Sequence, residues 1–223
     1  MMETEITRGE YRQVAGFDKV HVKGIGEIIL TQGNKEELYI DANPDLLPQI
    51  KTEVKNGTLL IRYDFEWMDY LGLRFIGAGP IRYLLTMKDI KEVILAGAGN
   101  VEAKSIKTSE LKLGLSGAGA MNIGGVECTR LSAALSGAGS MKIAGQAEKL
   151  EVQMSGAGSY YAGDLKSKKA SVQMSGAGSA RVWVTDTLDA AMTGLGSIDY
   201  FGKPAMKIQK TGLGNINSLG EHA

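Results

Sequence analysis

The repeating unit of this chain is best seen in Leu150-Glu151-Val152-Gln153-Met154-Ser155-Gly156-Ala157-Gly158-Ser159-Tyr160. Its central Gly-x-Gly occurs seven times between residues 97 and 214, and the first glycines of successive copies there are 18–20 residues apart. The repeated glycines are Gly97 and Gly99, Gly117 and Gly119, Gly137 and Gly139, Gly156 and Gly158, Gly176 and Gly178, Gly194 and Gly196, and Gly212 and Gly214. A fixed period of this length indicates stacked supersecondary units, each of which we call a coil.

Apolar residues alternate with small or polar ones on both sides of each Gly-x-Gly. Leu131, Ala133 and Leu135 precede one copy with a period of two, and Met141 and Ile143 follow it. This period indicates a β-strand with one buried and one exposed face. The same period of two continues through the glycines. We therefore expect both glycines of each copy to point inward, at a bend too narrow for a side chain.

The repeat predicts an all-β fold, a right-handed parallel β-helix of 18–20 residues per coil with an irregular β-rich N-terminal part. A single coil cannot bury its own apolar edge, so neighbouring coils must stack as parallel strands. The sequence lacks the Leu-x-x-Leu-x-Leu pattern of a leucine-rich repeat. It also lacks the recurring Asp after the glycines that a calcium-binding roll requires.

A further coil and an interruption precede the main array. Residues 17–33 repeat the pattern around Gly24-Ile25-Gly26, so the solenoid is expected to begin there. The interruption is expected to hold a strand at 38–41, a helical turn at 44–50 capped by Asn43, a hairpin at 52–63 turning at Asn56-Gly57, and a strand at 81–87. Residues 77–79 fit a loop and a coil equally, because Pro80 follows them.

We divide the chain into an arm (1–16), the N-terminal part (17–90), the array (91–219) and a tail (220–223).

The composition narrows the classes of function. Lys and Arg together number 25, as do Asp and Glu, so there is no net charge to attract nucleic acid or an anionic membrane. Cys128 is the only cysteine, which excludes an internal disulfide, and it is expected to be a small core residue. No run of 18 apolar residues could form a transmembrane helix, and the polar residues 1–16 do not resemble the apolar part of a signal peptide. We therefore expect either a cytoplasmic protein or one whose leader has been removed.

Three features carry a resemblance to a known family. They are the opening Phe17-Asp18-Lys19-Val20, the hairpin strand Gly57-Thr58-Leu59-Leu60-Ile61, and the coils that read Leu-x-Leu-Ser-Gly-Ala-Gly. Over about residues 15–217 the chain resembles the bacterial auto-transporter adhesins with a head GIN domain, which are common in Bacteroidetes. The resemblance implies a β-helical fold, an extracytoplasmic location (periplasm, outer surface or secreted) and an adhesin role. It supplies no catalytic or binding residues.

Small side chains flank the repeated glycines and form three expected rows on the outside of the solenoid. The rows are Ser116, Ser136, Ser155, Ser175, Thr193, Thr211; Ala118, Ala138, Ala157, Ala177, Leu195, Leu213; and Ala120, Ser140, Ser159, Ser179, Ser197, Asn215. They predict a flat, uncharged Ser/Ala face. One interpretation is that the N-terminal segment or a second copy of the chain covers this face, giving a homo-oligomer. Another is a docking surface for a partner or polymer, and ice binding is a remote third.

A second candidate surface is an aromatic edge near the C-terminus. Trp183 and Phe201 lie five residues after the closing glycines of their coils, and Tyr161, Arg181 and Asp199 lie three residues after theirs. Outward aromatic rings beside polar groups suit a sugar ring or peptide, so a host or cell-surface glycan or protein is the expected partner. The alternative is that the rings pack under a loop or the C-terminal tail.

An enzyme of the pectate-lyase type is the rival interpretation, because such enzymes share the β-helix topology. Their sites need carboxylates clustered on adjacent coils. Only Asp164, Asp186 and Asp189 occur in successive turns, where Asp usually serves as a turn former. We therefore expect a non-enzymatic cell-surface or periplasmic binding module, with no catalytic residue, cofactor or metal.

Overall fold

The computed structural model describes residues 9–64 and 79–222, which form a β-solenoid of about six turns. The N-terminal part contains β1 (Gly9–Arg12), β2 (Lys19–Gln32), β3 (Glu37–Asp41), a 3-10 helix (Leu47–Gln49), β4 (Ile50–Lys55), β5 (Thr58–Tyr63) and β6 (Arg82–Met87). The array contains β7 (Glu92–Ala103), β8 (Ile106–Lys107), β9 (Glu110–Gly137), β10 (Ser140–Gly156), β11 (Ser159–Gly176), β12 (Ser179–Gly194), β13 (Ser197–Phe201), β14 (Ala205–Gly212) and β15 (Asn215–Ser218). The predicted parallel solenoid is confirmed, and its right-handedness stays a prediction.

Parallel pairing places equivalent residues of successive coils side by side. β2 pairs with β7 so that Gly24 lies opposite Gly97. Gly137, Gly156 and Gly176 continue the same column through β9, β10 and β11. This register confirms that residues 17–33 form the first coil.

Each coil has three faces, shown here for the coil that begins at Leu150. Buried and exposed residues alternate along residues 150–155, 159–162 and 165–167, and the alternation breaks between these segments. We call these segments the first, second and third faces, and the breaks between them corners. The inward residues of all three, such as Val152, Tyr160 and Leu165, are buried in one continuous core.

The repeated glycines occupy the first corner, and their orientation differs from the prediction. Gly158 is buried, but Gly156 is exposed and has a φ of +103°, outside the extended range that alternation assumes. A Cβ on Gly156 would lie 2.6 Å from the carbonyl oxygen of Gly137, and one on Gly158 would lie 2.8 Å from that of Gly139. At Gly156 the limiting obstacle is therefore the backbone of the preceding coil, whereas a Cβ on Gly158 would also lie 2.8 Å from the Leu135 side chain. Only the second glycine points inward.

The N-terminal part covers one end of the solenoid. β5 and β6 pair with the two halves of β2, and antiparallel β3 and then β1 extend the sheet beyond β6. The predicted strands at 38–41 and 81–87 are confirmed. The predicted hairpin is confirmed as β4 and β5, with φ of +50° at Asn56 and +72° at Gly57.

The predicted helical turn is shorter than expected. The 3-10 helix begins at Leu47 with no side-chain cap, while the side-chain oxygen of Asn43 accepts a hydrogen bond from the backbone of Asp45 at 3.0 Å. Asn43 therefore caps a separate turn that precedes the helix. The uncertain copy at residues 77–79 lies mostly outside the described residues, which resume at Gly79.

The C-terminal end of the solenoid is open. β14 pairs only with β12 among the described strands, and Ile208 in it is 52% exposed. Lys210 lies in register with the buried Met192, so a charge occupies a position that is apolar in the preceding coil. Charged residues at inward positions of an edge strand oppose pairing with another chain.

Replacing the first glycine of a Gly-x-Gly should destabilise the fold far more than replacing Gly163, which lies at the second corner of the same coil. Gly156→Ala should lower the free energy of unfolding by about 2–4 kcal/mol, because it combines a left-handed φ with a backbone clash. In Gly163→Ala the atoms nearest the new methyl group belong to the side chains of Phe201 and Arg181, at 3.2 and 3.3 Å, so the loss should stay within about 1 kcal/mol. Urea denaturation measures both losses, and equal losses would contradict the stacking constraint.

Candidate functional site

Three of the predicted binding residues form a row on the second face. Tyr161, Arg181 and Asp199 lie opposite one another on β11, β12 and β13. The Tyr161 side chain is 44% exposed. The Arg181 guanidinium lies 3.9 Å from the Asp199 carboxylate, which also accepts a hydrogen bond of 3.0 Å from the Asn217 amide. The row thus presents one open aromatic ring followed by three polar groups.

The two other predicted binding residues lie beside this row. Trp183 and Phe201 are in register on neighbouring coils. Phe201 and Arg181 both reach over Gly163, whose missing side chain leaves room for them. The Lys166 ammonium lies 5.4 Å from the centre of the Trp183 ring. All five predicted binding residues are therefore brought to one part of the surface.

The C-terminal tail packs on the aromatic edge, as the alternative interpretation expected. The His222 ring stacks on Trp183 with centroids 4.0 Å apart and meets Phe201 edge-on at 5.1 Å. Backbone hydrogen bonds from Leu219 to Tyr200 and from Gly202 to Gly220, both 2.8 Å, anchor the tail. Sequence reasoning did not identify His222 because it lies beyond the last repeat, where no period predicts its position.

The small-residue rows of the Ser/Ala face are aligned and open. Ser155, Ser175 and Thr193 lie in register on β10, β11 and β12 and are exposed, so no described residue covers them. The row after the glycines is half-buried, and the Ser179 hydroxyl donates to Ser159 at 3.1 Å. The described N-terminal strands thus do not cover this face, and its pairing with a second copy stays a hypothesis.

A shallow groove of about 720 Å³ runs along the third face. Lys107, Glu127, Gln146 and Lys166 line it from successive coils, together with Cys128. Cys128 is half-buried against the core rather than enclosed in it, and burial raises the pKa of its thiol to about 11. The thiol is therefore poorly suited to act as a nucleophile.

The three aspartates of the enzyme interpretation do not converge. Asp164 lies 3.7 Å from His222, Asp186 accepts a hydrogen bond from Thr185 at 2.6 Å, and Asp189 faces Lys207 at 3.3 Å. Within residues 9–64 and 79–222, no three His, Cys, Asp or Glu side chains are grouped closely enough to hold a metal ion. This geometry does not favour a lyase-type site.

Comparison with protein families identifies one family whose model matches most of the chain. A family model described as "Putative auto-transporter adhesin, head GIN domain" matches residues 16–204. No curated protein matches the chain. Within the part of the chain that the structure describes, no helix is long and apolar enough to cross a membrane.

Solved structures of similar proteins share the fold. A putative adhesin from Bacteroides fragilis NCTC 9343 is 24% identical with a TM-score of 0.82, covering 95% of this chain and 96% of that one. A putative adhesin from Parabacteroides distasonis ATCC 8503 is 20% identical, with a TM-score of 0.73 and the same coverage. A putative lipid binding protein from the same strain is 21% identical with a TM-score of 0.71, again covering 95% and 96%. Identities this low support the fold alone.

The thiol of Cys128 should react slowly until the pH is well above neutral. With its pKa raised to about 11, little thiolate exists at pH 8, and the alkylation rate should rise about tenfold per pH unit up to pH 10. The native chain should react with iodoacetamide at least about ten times more slowly at pH 8 than the urea-unfolded chain, whose thiol titrates near 8.5. A native rate that levels off below pH 9 would contradict the burial argument.

Proposed function

The chain belongs to the family of putative auto-transporter adhesins with a head GIN domain, and on this premise we propose that it is a non-enzymatic, extracytoplasmic protein that binds a cell-surface glycan. The contact surface in this proposal is the second-face row of Tyr161, Arg181 and Asp199, together with the adjoining rings of Trp183 and Phe201. The observation that carries the proposal is the rigid alignment of an exposed ring with hydrogen-bonding groups on successive coils.

The chemistry of the row suits a sugar. A pyranose ring has an apolar face that can stack on an exposed aromatic ring such as Tyr161. Its hydroxyl groups need both donors and acceptors, which Arg181, Asp199 and Asn217 supply. Because the backbone of each coil is hydrogen-bonded to its neighbours, little ordering of the main chain is required on binding.

The C-terminal tail limits access of a ligand to the Trp183 ring. His222 covers the Trp183 ring much as a bound ring would. The backbone hydrogen bonds of the tail reach Gly220, and beyond them Glu221 pairs with Lys203 and His222 faces Asp164 at 3.7 Å. Displacing His222 would therefore break side-chain contacts of the tail while the backbone hydrogen bonds of the last coil stay in place. In this proposal, a sugar that stacks on Trp183 displaces His222.

The test is an array of cell-surface glycans probed with the wild-type chain and point variants. Tyr161→Ala should weaken binding about tenfold, because a stacked ring contributes about 1–1.5 kcal/mol. Tyr11→Ala is the matched control, since Tyr11 is 68% exposed and lies at the far end of the sheet. Binding that survives Tyr161→Ala and Asp199→Asn, or that Tyr11→Ala abolishes, would contradict the proposed surface.

A companion variant separates the two halves of the surface. His222→Ala removes the ring that covers Trp183, so the glycan should bind more tightly if it stacks there. An unchanged affinity would restrict the contact to the row of Tyr161, Arg181 and Asp199. Thermal melting of each variant distinguishes lost contacts from lost folding.

A second candidate function is self-association through the Ser/Ala face. The observation that favours it is the end of the alanine row, where Leu195 and Leu213 replace Ala and are 68% and 84% exposed. Exposed apolar side chains beside a flat face of small residues would be buried by a second copy.

Sedimentation velocity over a range of concentrations tests this second candidate. The wild-type chain should form a dimer at high concentration, and Leu195→Ser/Leu213→Ser should remain a monomer because the apolar contact is lost. Leu84→Ser is a control, since Leu84 is exposed on β6 at the opposite end. A wild-type chain that stays monomeric throughout would remove this candidate.

A further inference from the structure

Cations on the outside of the array usually face an acid on a neighbouring coil. Lys107 lies 2.9 Å from Glu127, and Lys207 lies 3.3 Å from Asp189. Opposite charges on adjacent strands stabilise the pairing, whereas like charges directly opposite destabilise it. The prevailing arrangement is therefore the one expected from electrostatics.

Three cations instead lie directly opposite one another at the corner between the third and first faces. Arg130, Lys149 and Lys169 lie in register on β9, β10 and β11 and are all exposed. Adjacent strands are about 4.8 Å apart, so the column places one positive side chain at each step along the solenoid axis. The signal was present in the sequence, because these cations are spaced 19 and 20 residues apart, the period of the repeat.

Nearby acids reach only Arg130, the first cation of this column. Glu148 pairs with Lys168 at 3.0 Å, and Glu127 pairs with Lys107. Glu151 forms an ion pair of 3.9 Å with Arg130. Among the described residues, Lys149 and Lys169 have no acidic partner.

Like charges also meet at the N-terminal hairpin, but the setting is different. Lys51 lies opposite Arg62, which is also in register with Lys23. The Lys51 ammonium turns away to donate a hydrogen bond to the carbonyl oxygen of Pro48 at 2.7 Å. The column in the array has no such backbone acceptor among the described residues.

We propose that the column of Arg130, Lys149 and Lys169 binds an acidic polysaccharide that lies along the solenoid axis. A polymer with one carboxylate per sugar offers the series of negative groups that would offset the repulsion within the column. The surface is separate from the Tyr161 row, so this inference goes beyond the proposed glycan contact and does not depend on it.

The surroundings favour a sugar polymer over a membrane. Gln153 and Gln173 lie in register on the adjacent first face and are exposed, so their amides can bond sugar hydroxyl groups. On the other side, the third-face groove ends at Glu148 and Lys168, directly before the column. No large apolar side chain is exposed at this corner among the described residues, whereas membrane-surface segments insert such side chains.

The experiment measures binding of polygalacturonate, which carries one carboxylate per sugar, in calcium-free buffer at low ionic strength. The wild-type chain should bind it and should not bind neutral dextran of the same length. Lys149→Gln/Lys169→Gln should bind at least about tenfold more weakly, since one charge pair at contact distance in water is worth about fivefold. Lys55→Gln/Lys88→Gln makes the same change of net charge at exposed sites in the N-terminal part and should bind within about twofold of wild type.

Thermal melting and binding to lipid vesicles complete the test. At low salt the double variant should melt no lower than wild type, because the substitutions remove repulsion between neighbouring coils. A lower melting temperature would contradict the repulsion on which the inference rests. Equal binding by the double variant, or absence of polygalacturonate binding by wild type, would overturn the proposal. Lysine-dependent binding to phosphatidylserine vesicles without polygalacturonate binding would assign the column to a membrane instead.

Discussion

The closeness of neighbouring coils at the first corner is the constraint on which the rest of the structure depends. The backbone N–H of Ala157 donates to Gly137 at 3.0 Å, that of Ala177 to Gly156 at 2.9 Å, and that of Leu195 to Gly176 at 3.0 Å. A side chain on these glycines would occupy the space of the accepting backbone. The corner can therefore close only where glycine recurs, and the recurrence fixes the register of every coil.

Because the register is fixed, the residues that stabilise the fold are different from the residues that form its outer surface. Inward residues such as Val152 and Val172 repeat because they share one core, whereas outward residues are free to differ from coil to coil. Each outward row is then a line of side chains about 4.8 Å apart, held by a backbone that does not need to reorganise. The row of Tyr161, Arg181 and Asp199 and the column through Lys149 use the same frame for different chemistry. Both follow the axis, which suits an extended ligand.

Much of this architecture could be predicted from the sequence, because its signals are periodic or local. The spacing of the glycines predicts the coils. Asn56-Gly57 predicts the hairpin, because its turn needs a left-handed φ at both residues. The outward direction of Gly156 could not be predicted from the period of two, because inward and outward positions alternate only along extended backbone. The stacking of His222 on Trp183 could not be predicted either, because the tail follows no period and its position depends on the tertiary fold.

Through-hydrogen-bond scalar couplings in the NMR spectrum of the deuterated chain would test the stacking constraint most directly. The account predicts couplings from the amide nitrogens of Ala157, Ala177 and Leu195 to the carbonyl carbons of Gly137, Gly156 and Gly176 in turn. These amides should also exchange slowly with solvent, because the hydrogen bonds are part of the sheet. Couplings to other carbonyls, or rapid exchange at all three amides, would show that the coils are not held together at the glycine corner.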